Sequence, residues 1–131
     1  TKLSLSIAVP PDIFVSDLDI SITLGNLLSN AIEALEKLQD DAERKLSVSI
    51  LYKMSTLYLE IKNTFSGSLK KIDKVTFKST KKDSRNHGYG LSNVNEVVEK
   101  YDGISSFTTE GNWFIVNITL FSEKKNSQLQ E

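Results

Sequence analysis

Leu3, Leu5, Ile7 and Val9 alternate with polar or small residues until Pro10-Pro11 ends the run. A period of two is that of a strand with one buried face, so the spacing predicts a half-buried strand at the start of the chain. From residue 17 to about residue 38 the period becomes helical. At about 100° per residue, Leu24, Leu27, Leu28, Ala31, Leu35 and Leu38 gather on one side, while Asn26, Asn30, Glu33 and Lys37 fall within an arc of roughly 60° on the other. The charged run 36–45 reads as the helix end and a solvated connection. Residues 46–53 and 56–62 alternate again, as two strands joined by a short turn.

No period is sustained over residues 63–86, which contain Gly67, several Ser and Thr, and seven basic side chains between Lys70 and Arg85. A loop of that length inside a small domain is expected to be functional or disordered, and here it reads as a mobile lid, about residues 64–87. Helical spacing resumes with Leu91, Val94, Val97, Val98 and Tyr101, and Asp102-Gly103 supplies a stop. Two final strands, about 104–109 and 113–121, flank the turn-forming pair Gly111-Asn112, and residues 122–131 form a polar tail expected to fray. The order strand, helix, strand, strand, long loop, helix, strand, strand predicts an α+β fold: a two-layer α/β sandwich with helices on one face of a mixed sheet.

A chain of 131 residues and 14.7 kDa is long enough for one core, so residues 1–121 are read as a single domain. The net charge of −1 exerts no general pull on nucleic acid or anionic membrane. The absence of cysteine excludes a disulfide framework and a thiolate metal site. No apolar run approaches the roughly 20 residues that span a bilayer, so any membrane attachment is expected to lie in segments preceding Thr1. The chain starts inside its first strand, which suggests a piece cut from a longer, cytoplasmically placed region.

Two segments carry chemistry. In Leu24-Gly25-Asn26-Leu27-Leu28-Ser29-Asn30-Ala31-Ile32-Glu33-Ala34, amides interrupt a core-forming helix. An asparagine oxygen is a hard, neutral donor suited to Mg²⁺, which takes its other ligands from water and nucleotide phosphates. Asn30 is the candidate ligand, with Asn26 one turn earlier toward a phosphate or a metal-bound water. Lys37 is placed to meet a phosphate or to pair with Glu33 four residues before it. The same spacing, taken alone, equally suits a solvated helix face. In His87-Gly88-Tyr89-Gly90-Leu91, the glycines permit close backbone approach and the following helix offers free N–H groups to an anion. Alone, that pattern equally suits a tight turn, with His87 an exposed loop residue and Tyr89 packed on the sheet.

Together these residues resemble the GHKL nucleotide-binding superfamily, shared by gyrase, the large heat-shock chaperone, histidine kinases and mismatch-repair ATPases. The likeness is greatest to the catalytic ATP-binding domain of a sensor histidine kinase. Leu24 to Ala34 resembles the family's N box, Gly88-Tyr89-Gly90-Leu91 its second glycine box, and Phe77-Lys78-Ser79-Thr80-Lys81 its phenylalanine box. Leu59-Glu60-Ile61-Lys62-Asn63 leads into the position of the first glycine box. The resemblance implies that Asn30 holds Mg²⁺, that Asn26 and Glu33 face the ATP site, and that Gly88 and Gly90 shape the phosphate loop. It further places Gly67, Phe77, Lys81, His87, Tyr89 and Leu91 around the nucleotide, with Lys81 a phosphate contact.

Two departures stand out. Most members carry an aspartate that accepts from the adenine amine, followed by Asp-x-Gly-x-Gly; here the sequence reads Asn63-Thr64-Phe65-Ser66-Gly67. An asparagine oxygen still accepts from that amine. This variant, together with Asn30-Ala31-Ile32-Glu33, resembles the branch containing peptide quorum-sensing receptor kinases. Secondly, ATP-hydrolysing members carry a glutamate base one turn before the magnesium asparagine, where this chain has Asn26. An amide has no basic lone pair at neutral pH, which disfavours water activation. What the resemblance implies is therefore transfer of the γ-phosphoryl group to a histidine on upstream dimerisation helices, with a homodimeric intact kinase and a response regulator downstream. Two alternatives stay open: a degenerate GHKL domain serving as a protein-docking module, and an anti-sigma-factor serine kinase. Nucleic acid is not an expected partner, since the basic loop lacks interleaved aromatics.

Overall fold

Ser16 opens the first helix: its Oγ accepts from the Asp19 N–H at 3.1 Å, and Asp17 and Asp19 place negative charge in the first turn, where the helix dipole favours it. The structure, a computed structural model, describes residues 1–66 and 89–122. Within them the elements run β1 (Lys2–Ala8), α1 (Asp17–Glu36), β2 (Lys45–Lys53), β3 (Thr56–Thr64), α2 (Tyr89–Lys100), β4 (Ile104–Glu110) and β5 (Trp113–Phe121). The sheet order is β1-β2-β3-β5-β4; β1 pairs with β2 in parallel, and every other neighbour is antiparallel. This is the mixed sheet with helices on one face that the sequence pattern predicts.

Leu57, Leu59 and Ile61 of β3 stand beside Leu120, Ile118 and Val116 of β5, and all six are buried. Leu46 and Val48 of β2 continue that face. Against it pack Leu27, Ala31 and Leu35 of α1 and Leu91, Val94, Val97 and Val98 of α2. Phe14, in the crossover from β1 to α1, meets Tyr52 and Tyr101 with ring centroids 6.0 and 5.7 Å apart, closing one end of the core.

Element ends are set by local chemistry. Arg44 donates to the carbonyls of Leu35 (3.1 Å) and Leu38 (2.8 Å), at and just past the end of α1, and thereby ties the helix to the start of β2. Helix α2 ends in a Schellman motif, with Gly103 N–H on Val98 O (2.7 Å) and Asp102 N–H on Glu99 O (3.1 Å). Asp102, not the glycine, takes the left-handed conformation (φ 52°). Gly103 is required for another reason: a Cβ there would run into the backbone oxygen of Thr119. The β2–β3 hairpin turns on Met54 (φ 53°) and Ser55 (φ 60°), two left-handed positions filled without glycine.

Two expectations need correcting. The first strand forms, but it is not half-buried: Leu3, Leu5 and Ile7 are 60%, 60% and 62% exposed. Its register with Leu46, Val48 and Ile50 puts their side chains on the helix-bearing face, yet the helices do not reach them. Helices pack at about 10 Å and strands at about 4.8 Å, so two helices cover the width of about four strands. With α1 over β3 and α2 against β5, the edge strand is left outside. Asn63 and Thr64 also belong to β3 and not to the following loop. A polar residue at an inward position interrupts the apolar alternation while the backbone stays extended.

Candidate nucleotide-binding site

The N-terminal turn of α1 is fixed to the C-terminal end of α2 by Asp19, whose Oδ2 accepts from the Tyr101 hydroxyl (2.5 Å) and the Lys100 ammonium (2.9 Å). The two helices pack side by side and therefore run antiparallel. Tyr101 lies 12 residues after Tyr89, and Ala31 lies 12 residues after Asp19. At about 1.5 Å per residue both steps cover about 18 Å, so the N-terminus of α2 stands level with Asn30 and Ala31. Asn26, Asn30 and Glu33 share the flank of α1 that carries Asp19, the flank turned toward α2.

Asn63 arrives at the same end of the domain from the sheet. It pairs with Leu46 at the start of β2 and Phe114 at the start of β5. Arg44, on the carbonyls of Leu35 and Leu38, brings the C-terminal half of α1 to that end too. Thr64 locks the edge of β3 by donating to Glu43 O (2.9 Å) and accepting from Lys45 N–H (3.1 Å). Phe65 closes behind it, buried against Phe114 at 6.0 Å. Asn63 is 2% exposed and donates from Nδ2 to Thr64 O at 3.0 Å. That bond commits one of the amide's two N–H donors to its own strand, and the side-chain oxygen has the chemistry to accept from another group.

Of the sequence-predicted residues, Asn30 and Glu33 are exposed on α1, Asn26 is half-buried beside them, and Leu91 is buried in the first turns of α2. Tyr89 and Gly90 open that helix. Gly67, Phe77, Lys81, His87 and Gly88 fall outside the described residues, as do most of the lid and the tail beyond Ser122. Glu33 does not pair with Lys37: the ion pairs among the described residues are Lys45–Glu43 and Lys100–Asp19. Lys37 instead caps α1 through its backbone N–H. Among the described residues no three His, Cys, Asp or Glu side chains converge on one point, so a cation here would rely on the neutral oxygen of Asn30, water and its ligand's own phosphates.

Arg44, Thr64 and Asp19 were not singled out by sequence. Arg44 had a local signal, a cation just past a helix end. Asp19 had none, because its partners lie 81 and 82 residues away.

The sequence profile of the GHKL domain matches residues 15–121. A search of curated protein sequences finds no match. Among solved structures, the catalytic domain of the histidine kinase ThkA is similar with a TM-score of 0.65 at 18% identity, over 92% of this chain and 78% of that one. The Acinetobacter baumannii histidine kinase AdeS gives 0.64 at 20% identity, over 92% of this chain and 53% of that one. The histidine kinase domain of the Erythrobacter litoralis blue-light-activated kinase EL346 gives 0.67 at 13%, over 99% and 55%. Identities this low establish a shared fold.

Proposed function

Because the chain belongs to the GHKL family, with the fold of histidine kinase catalytic domains, we propose that it binds Mg·ATP and donates the γ-phosphoryl group to a histidine on upstream dimerisation helices. The observation that carries this reading is the convergence of Asn30, Asn63 and the N-terminus of α2 at one end of the domain, contributed by three different elements. Adenine would donate from its amino group to Asn63 Oδ1, and phosphates would meet the free N–H groups at the start of α2. Asn30, an exposed carboxamide on the flank facing α2, fits a magnesium ion that keeps several waters, and Asn26 and Glu33 would orient those waters. When bound, the ion would neutralise charge on the transferring phosphoryl group. Gly67, Phe77, Lys81, His87 and Gly88 belong to the same proposed site through their sequence motifs.

Asn26 in place of a carboxylate base directs the bound nucleotide toward phosphoryl transfer instead of hydrolysis. In this reading the acceptor histidine, a second kinase subunit and a response regulator are the partners. In this reading any membrane attachment would lie outside this domain; among the described residues no helix is long and apolar enough to cross a bilayer. The asparagine at position 63, together with Asn30-Ala31-Ile32-Glu33, supports a kinase of the branch that contains the peptide quorum-sensing receptors.

Calorimetric titration with Mg·ATP tests the proposal. Saturable binding that Asn30→Ala and Asn63→Ala each weaken about tenfold or more is the expected result, with the Asn30→Ala deficit shrinking when Mg²⁺ is replaced by EDTA. No binding to the parent chain at millimolar Mg·ATP would overturn the reading in favour of a docking module.

A further inference from the structure

Tyr101 joins the end of α2 to the crossover, to α1 and to the sheet. Its hydroxyl donates to Asp19 Oδ2 (2.5 Å) in the first turn of α1 and accepts from the Ser16 N–H (3.2 Å) at the cap of that helix. Its ring meets Phe14 of the crossover edge-on, and its carbonyl accepts from the Phe121 N–H (3.4 Å) of β5. Thr23, one turn beyond Asp19 on the same flank of α1, is buried, and its hydroxyl has no hydrogen-bond partner among the described residues. It adds packing to the seam and no directional tie. We propose that Tyr101, acting through Asp19, is a positioning residue for the nucleotide site: it sets where the N–H groups at the start of α2 stand relative to Asn30. The inference rests on the ATP-binding reading above.

A bond at one end of α2 governs the other end because the helix is a short, stiff rod. Its 12 residues span about 18 Å, so a tilt of roughly 5° about Tyr101 swings the first turn by about 1.6 Å. An N–H···O bond is confined to about 2.7–3.2 Å, and such a swing forfeits the phosphate contacts. Val94, Val97 and Val98 hold α2 on the core, but apolar contact has no direction and does not fix the tilt that closely. Without the hydroxyl, the Asp19 carboxylate, 7% exposed, is one donor short, a cost that a local shift of α2 relieves. Lys100 is a poor substitute, because its side chain is 58% exposed and an ion pair in water is worth little. The base is read elsewhere: Asn63 stands on β3, which a tilt of α2 does not carry along. Loss of the clamp therefore acts on phosphate binding and spares the base.

The test uses the 131-residue chain and Tyr101→Phe, which keeps the ring and loses the hydroxyl. Calorimetry with Mg·ATP should show affinity reduced about tenfold, the scale of one charge-assisted hydrogen bond. Adenosine affinity, followed on the Asn63 side-chain amide resonance, should change by less than about twofold. Asp19→Asn keeps an acceptor oxygen for the hydroxyl, so it should hold ATP affinity within about twofold of the parent even as it lowers the melting temperature. Asp19→Leu should repeat the Tyr101→Phe pattern. In the nucleotide-free chain, Tyr101→Phe should quicken hydrogen exchange at Val94 and Asn95 about tenfold more than at Leu59 and Ile118. Unchanged ATP affinity in Tyr101→Phe, equal losses for ATP and adenosine, losses that follow melting temperature across the variants, or exchange quickened uniformly would each overturn the proposal. A parent chain that binds no Mg·ATP would instead overturn the kinase reading, and the exchange pattern would still decide whether the clamp holds α2.

Discussion

Asp19 Oδ2 and the Tyr101 hydroxyl, 82 residues apart in sequence, meet at 2.5 Å and clamp the first turn of α1 to the last turn of α2. The Tyr101 hydrogen bond, then that of Lys100, holds the Asp19 carboxyl below its ordinary value of 3.8, outweighing the opposing effect of burial. A depressed carboxylate pKa stabilises the fold above the unfolded value, and that contribution is lost as pH falls through the folded value. Asp19→Asn should therefore cost about 1.5–3 kcal/mol at pH 7, the range for hydrogen bonds to a charged group. The gap between variant and parent should narrow below about pH 4, as urea denaturation at both pH values will read.

Asn63→Asp, which puts in the aspartate that the resemblance to the family leads one to expect, should destabilise this chain. The Nδ2 donor that reaches Thr64 O at 3.0 Å would be replaced by an oxygen facing a carbonyl in a 2%-exposed site. A cost of about 1–3 kcal/mol is expected at pH 7. Burial raises the new carboxyl's pKa, so the loss should appear as pH rises and shrink toward pH 4. Thermal melts across that range check the sign.

Two glycines should respond oppositely to alanine. At Gly103 the new methyl would strike Thr119 O and come within 2.8 Å of Leu120 Cδ2, and because the first is backbone, relief requires moving β5. A loss of about 3 kcal/mol or more is expected. Gly25, mid-helix with nothing near its Cβ position, should gain about 0.5–1 kcal/mol. Denaturation midpoints at fixed slope separate the two.

Met54→Asn with Ser55→Gly should stabilise the β2–β3 hairpin, since both positions hold φ near +55° and these residues tolerate it. A combined gain of about 1 kcal/mol, read by calorimetry, is expected.

Periodicity made most of the fold legible: the two amphipathic helices and the strands β2, β3 and β5 bury the faces their spacing marks. β1 shows where periodicity stops. Its alternation identifies the face that Leu3, Leu5 and Ile7 share, but whether that face is covered depends on how many helices span the sheet. Asn63 shows a different limit. An amide standing where Leu59 and Ile61 predict a third apolar residue looks like the end of a strand, yet the strand continues. The candidate site was readable at Asn26, Asn30 and Glu33 because helical spacing puts them on one flank. The clamp at Asp19 was not, because a hydrogen bond between residues 82 apart leaves no local pattern.

The parallel alignment of β1 with β2 also settles how the domain bears a pull. Lys2 lies at the end of the sheet shared by Lys45 and Trp113, whereas Phe121 lies at the end shared by Thr56 and Ala8. Tension applied between Thr1 and Phe121 therefore runs along the strands. It loads every rung between β1 and β2 at once in shear, where a perpendicular pull would unzip them one at a time.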